Sequence, residues 1–127
     1  MDFLETVYNF TYRLSGDRDV AEILTEKVFL TQPANRRRDD IVLLKQAWED
    51  FLRYYGRFDF DGENMVQQSL LRLSPEIRCA VILRDILGYS YSQIAFVLDE
   101  SELTVGRLIS LARRDIKKRG IKQNISS

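Results

Sequence analysis

The sequence predicts an all-α protein built from two helical units. Three observations carry this. Apolar residues recur at helical spacing along nearly all of the 127 residues. No stretch alternates apolar and polar residues in the manner of a half-buried strand. Helix punctuation falls at the ends of the periodic segments: Asp17, Ser74-Pro75, Gly88, Ser90-x-x-Gln93 and Ser101.

The first helix is expected at 3–14, with Leu4, Val7, Tyr8, Thr11 and Leu14 on one face. Ser15-Gly16-Asp17 breaks it, and Asp17 can cap the second, which runs to about Leu30 with Val20, Leu24 and Val28 inward. Gln32-Pro33-Ala34-Asn35 reads as a turn, and Arg36 to Asp40 as a polar connection. A third helix follows at 40–55 with Ile41, Leu44, Trp48, Phe51 and Leu52. Gly56 to Gly62 (GRFDFDG) reads as a linker in which Phe58 and Phe60 pack against something. Met65, Val66, Leu70 and Leu73 mark a short helix. Ser74 is the expected N-cap and Pro75 the first residue of a buried central helix ending at Leu87, with Gly88 as its stop. Ser90 and Gln93 form a capping box for a two-turn helix holding Ile94, Ala95, Val97 and Leu98. Asp99-Glu100 is a tight turn. Ser101 opens the last helix, 102–118, with the stripe Val105, Ile109, Ala112 and Ile116. The expected division is 1–56, a linker at 57–64, and 65–127 with a basic tail.

Composition narrows the chemistry. The chain has no histidine and one cysteine, Cys79. That removes Ser-His-Asp and Cys-His catalysis, an internal disulfide and Cys- or His-based zinc sites. No apolar run approaches a membrane span, and the acidic start lacks the features of a secretory signal. The expectation is a cytoplasmic binding protein, not an enzyme, with no cofactor, resident metal, membrane contact or small-molecule substrate. Net charge is zero, yet it is unevenly placed: residues 105–127 carry +6 and residues 1–34 carry −3. A basic terminal helix is the usual footprint of a nucleic-acid binder, and lysine and arginine also suit a helix C-terminus.

A short helix, a tight turn and a longer helix make a helix-turn-helix. Opposite the Val105 stripe, a turn of 100° per residue presents Arg107, Ser110, Arg114 and Lys118. Donors at those positions suit phosphates and base edges in a major groove.

Residues 70–114 resemble region 4 of bacterial RNA polymerase sigma factors of the extracytoplasmic-function group. The matching pieces run in order: Leu73-Ser74-Pro75-Glu76 with Arg78, Leu83-Arg84, Gly88-Tyr89-Ser90-Tyr91, Ile94-Ala95, Leu98, Ser101, Thr104-Val105 and Ala112-Arg113. Tyr12 to Asp17, Ala21-Glu22, Leu24 and Val28-Phe29-Leu30 are similar to the family's region 2 helix that docks on the polymerase clamp. The resemblance implies core RNA polymerase and promoter DNA as partners, and an anti-sigma factor as a further one. It assigns DNA contact to Arg107, Ser110, Arg113, Arg114, Lys117 and Lys118. It assigns partner contact to Glu22, Ile23, Glu26, Lys27 and Phe29. Region 2 is shortened and divergent: segment 31–55 is short, and Trp48-Glu49 replace the usual asparagine and basic residues. In the last helix Gly106, Leu108 and Leu111 stand where the family commonly has Lys or Arg. Each change removes a charge-assisted phosphate contact, and Gly106 costs the helix about 1 kcal/mol relative to alanine.

Two functions follow. The first is a sigma-factor-like initiation protein in which the polymerase supplies all catalysis. The alternative is a divergent sigma-like regulator that engages an anti-sigma factor or polymerase through protein contacts, with Leu103 and Leu111 as anchors and little or no DNA binding. The clusters Asp39-Asp40 and Asp59/Asp61/Glu63 read as solvated linker. Trp48, Tyr54 and Tyr55 read as core, and Cys79 as an inert buried thiol. Arg36-Arg37-Arg38 is a basic run partly neutralised by the aspartates after it.

Overall fold

The computed structural model describes residues 2–32 and 39–126, with the backbone alone given for 119–126. The turn expected at 33–35, the run Arg36-Arg37-Arg38 and the side chains of Arg119 and Lys122 lie outside the described residues. Those described form helices and no strand: α1 Phe3–Ser15, α2 Arg18–Thr31, α3 Asp40–Tyr55, α4 Met65–Leu71, α5 Pro75–Val81, α6 Tyr91–Leu98 and α7 Glu102–Ser126.

Local signals set the ends. Asp2, Asp17 and Asp39 each accept a backbone N–H at the start of α1, α2 and α3. Gly16 ends α1 at φ +67, a left-handed conformation that a Cβ would strain. Ser74 stands at the N-cap of α5, but its hydroxyl makes no capping bond; Pro75 alone starts that helix. The central helix does not run as a uniform α-helix to Leu87. From Ile82 to Ile86 it widens into a π turn, where Leu87 N–H reaches Ile82 O at 3.0 Å.

α1, α2 and α3 pack on one another; α5 packs on α7, and α6 packs on both α7 and α3. One continuous core joins these layers, from Phe10, Leu24 and Leu44 through Phe51 to Ile82, Leu83, Ile94 and Ile109. Each such side chain contributes roughly 1.5–3 kcal/mol by leaving water. Several inward assignments shift. Phe10 is fully buried on α1, whereas Leu4 is 55% exposed. On α4 the buried residues are Gln67 and Leu70, while Met65 and Val66 face solvent. On α3 Leu43 and Ala47 fill the core and Leu52 is exposed; Trp48 is buried but Tyr54 is not.

Polar ties cross the molecule. The Gln67 amide donates to Tyr12 and Arg13 carbonyls and accepts from Arg13 Nη1 at 3.0 Å. Arg78 is buried and donates to four backbone carbonyls: Leu70 (3.0 Å), Leu14 (2.7 Å), Leu71 (3.3 Å) and Leu73 (3.0 Å). Those carbonyls close the ends of α1 and α4, so one guanidinium satisfies acceptors that two helix termini leave over. At α6, Tyr89 Oη donates to Asp40 Oδ2 at 2.6 Å before the helix begins. Lys45 Nζ donates to Phe96 O at 2.8 Å near its end. α3 thus holds α6 at both ends.

Candidate functional site

The capping box at Ser90 is formed in both directions: Gln93 N–H to Ser90 Oγ at 3.1 Å, and Ser90 N–H to Gln93 Oε1 at 2.9 Å. α6 stops at Asp99, which adopts φ 54 where glycine is at ease. Ser101 Oγ then accepts Thr104 N–H at 3.1 Å and α7 begins. Ile94, Val97 and Leu98 of α6 are buried together with Val105, Ile109 and Ala112 of α7. This packing fixes the rotation of α7. Its outer face exposes Leu103, Arg107, Ser110, Leu111, Arg114, Lys117 and Lys118.

A shallow groove of about 820 Å³ runs along that face between Leu103, Gly106, Arg107, Ser110 and Arg114, with Tyr91 at its side. Gly106 leaves the floor open; a Cβ there would meet only the Tyr91 ring at 3.6 Å. Arg107 and Arg114 form no ion pair among the described residues. Arg113 is placed differently. It makes a two-pronged contact with Asp85 of the π turn, at 3.0 and 2.6 Å, and this carboxylate raises its pKa. The structure therefore gathers Arg107, Ser110 and Arg114 in one groove, leaves Lys117 and Lys118 further along the helix, and turns Arg113 toward the π turn. Tyr91 and the Arg113–Asp85 pair escaped the sequence reading; the capping box gave Tyr91 its place, but nothing local signals the pair.

A second groove, of about 740 Å³, lies between α1 and α2. It brings together Glu22, Glu26 and Phe29, and adds Leu4, Tyr8 and Leu30. Leu30 is 74% exposed. Ile23 is exposed but does not line the groove, and Lys27 lies 3.8 Å over the Tyr54 ring of α3. Leu30, apolar and off the buried stripe of α2, is the available signal for this surface; Leu4, expected inward, is exposed.

Among the described residues no group of three or more acidic or cysteine side chains is placed to hold a metal ion. Three of the linker and connection acids have other partners: Asp39 caps α3, Asp40 accepts from Tyr89, and Glu63 accepts from Tyr12 Oη at 2.8 Å. Burial, then the Asp40 hydrogen bond, pushes the Tyr89 phenol well above its ordinary range. Burial pushes the Cys79 thiol up as well.

Residues 63–116 match the family model of sigma-70, region 4. Over the whole fold the chain is similar to the sigma factor RpoE of Bartonella quintana, in its co-crystal structure with the anti-sigma factor NepR. The TM-score is 0.76 at 20% identity, covering 91% of this chain and 90% of that one. No curated protein matches. The all-α fold expected from the sequence is present, and the region 4 resemblance read at 70–114 falls within the matched residues.

Proposed function

We propose that this chain, whose residues 63–116 match the sigma-70 region 4 model, acts as a sigma-factor-like transcription initiation protein. The observation that carries the proposal is the α7 face: a helix-turn-helix holds it outward, with Arg107, Ser110 and Arg114 in one groove and Lys117 and Lys118 beyond. Guanidinium groups there suit phosphates and guanine edges. Arg113, tied to Asp85, serves DNA by fixing α7 on the π turn or by exchanging that carboxylate for a phosphate.

The α1–α2 groove is the proposed polymerase contact. Its apolar floor and its rim of Glu5, Glu22 and Glu26 suit a basic, partly apolar surface. Phe29 lines it, and Ile23 and Lys27 flank it on the same helix. The chain performs recognition, and the polymerase performs chemistry. No described helix is long and apolar enough to cross a membrane; the proposed location is the cytoplasm, where the polymerase works. Residues 1–56 and 65–127 act as two recognition units joined by 57–64.

A second reading rests on Leu103 and Leu111, 68% and 47% exposed on the DNA-facing side. Exposed leucines there favour a protein partner, of which the anti-sigma factor bound to RpoE is an example. One series separates the readings: gel shifts with promoter fragments and pull-downs with core polymerase and an anti-sigma factor. For a DNA reader, Arg107→Ala and Arg114→Ala each weaken DNA binding, and each lowers the salt slope by about one. For a protein binder, Leu103→Ala and Leu111→Ala matter more. A chain that binds no DNA at low salt, alone or with polymerase, yet holds an anti-sigma factor tightly would overturn the first reading.

A further inference from the structure

Where α3, the linker and α5 meet, the chain forms a half-open cavity of about 370 Å³ far along the sequence from the α7 face. Part of its wall is aromatic: Phe51 and Tyr55 from α3 and Phe58 from the linker. The Phe58 ring lies 5.7 Å from Tyr55 and 6.1 Å from Phe60, centroid to centroid, yet the residue is 61% exposed. A packed, oriented ring with an open surface is a stacking platform.

The rest of the lining is cationic. Arg57 of the linker and Arg72 after α4 are exposed and form no ion pair among the described residues. Arg78 lines the same cavity; its N–H groups serve backbone carbonyls, and no carboxylate offsets its charge. Burial lowers its pKa, as expected of a cation that lacks an anion. Asp59 is the one acidic residue in the lining, which leaves a net charge of +2.

Guanidinium pairs take phosphate oxygens in a fork, an aromatic face takes a base, and a cavity of a few hundred Å³ fits a small ligand. We propose that this cavity binds a mononucleotide, with its base on Phe58 and its phosphates at Arg57 and Arg72. Asp59 supplies an acceptor for a sugar hydroxyl. The walls come from both halves of the chain, so the nucleotide would fasten α3 to the region 4 unit and act as a regulator of their arrangement.

The test is calorimetric titration of the full chain with ADP, GDP, adenosine, inorganic phosphate and a short single-stranded oligonucleotide. ADP or GDP should bind, and adenosine and phosphate should each bind at least about tenfold more weakly, since each lacks half of the recognition. Arg57→Ala and Arg72→Ala should each weaken the nucleotide about tenfold, the loss of one charge-assisted hydrogen bond. Phe58→Ala should weaken ADP but not phosphate. All three side chains are exposed, and unchanged helicity in circular dichroism confirms that the variants fold. No binding of either nucleotide, equal binding of phosphate alone, or indifference to the two arginine changes would overturn the proposal. Tighter binding of the oligonucleotide than of ADP would also overturn it and reassign the cavity to single strands.

Discussion

Replacing Arg78 with methionine keeps most of the side-chain volume and removes all four hydrogen bonds. Three of these, to Leu14, Leu70 and Leu73, are fully buried, and the fourth, to Leu71, is partly open to water. Leu70 O keeps the Leu73 N–H at 3.1 Å, so Leu14 and Leu73 are the buried carbonyls that lose their donor, at about 1–3 kcal/mol each. Against this, the variant no longer has to desolvate a guanidinium, which returns part of the loss. The balance is a destabilisation of about 3 kcal/mol, a large share of the roughly 5–15 kcal/mol typical of a domain. For a chain of this length the melting temperature should fall by about 10 °C. Arg78→Lys keeps the charge but not the planar fork, and should recover less than half of that. Thermal melts and urea titrations of both variants provide the measurement. If Arg78→Met melted within about 2 °C of the parent, or if Arg78→Lys matched the parent, the assignment of these bonds as the tie between α1, α4 and α5 would be wrong.

Tyr89 gives a pH signature. Its folded pKa lies above its unfolded value of about 10, so its contribution is complete below that pH and is lost as pH rises beyond it. Urea midpoints should fall more steeply above about pH 10 for the parent than for Tyr89→Phe; parallel curves would remove Asp40 as a relevant partner. Cys79 is fully buried with a thiol raised well above its usual pKa, so a thiol reagent should modify it only as fast as the protein opens. Rapid modification in native buffer would contradict its burial. Ile109→Asp and Ile94→Asp put an unpaired charge in the core and should cost several kcal/mol; native helicity at the parent's melting temperature would refute the packing of α6 on α7.

What the sequence revealed was mostly what neighbouring residues decide together. The Ser90–Gln93 box, the Ser101 cap and the Val105/Ile109/Ala112 stripe are local, and they fixed the helix-turn-helix and the outward set Arg107, Ser110 and Arg114. The polar residues that lock the halves were less legible. Gln67 and Arg78 are buried because their partners lie 54 and 64 positions away, and no periodicity announces that. Arg113 is expected to contact DNA, and its grip on Asp85, 28 positions earlier, has no local signal. Phe10 and Leu4 exchanged roles because α1 packs on α2 and α3 at once, which rotates its inner stripe away from the one a single neighbour would select. The α1–α2 groove is legible in part: Glu22, Glu26 and Phe29 are expected contacts, whereas Leu4 reads as inward.

The straps from Asp40 and Lys45 to the two ends of α6 have a mechanical consequence. α6 is packed on α7, and α7 from Glu102 to Lys118 spans 17 residues, or about 25 Å. It is held at two places: through α6, which the straps fix to α3, and further along, where α7 packs on α5 and Arg113 grips Asp85. Loosening a strap alone therefore leaves the Lys117–Lys118 end anchored and frees only the start of the helix. With the Arg113 contact broken as well, each degree of rotation about α6 would sweep that end by roughly 0.4 Å. Lys117 and Lys118 would be re-aimed while the groove around Arg107 stayed in register.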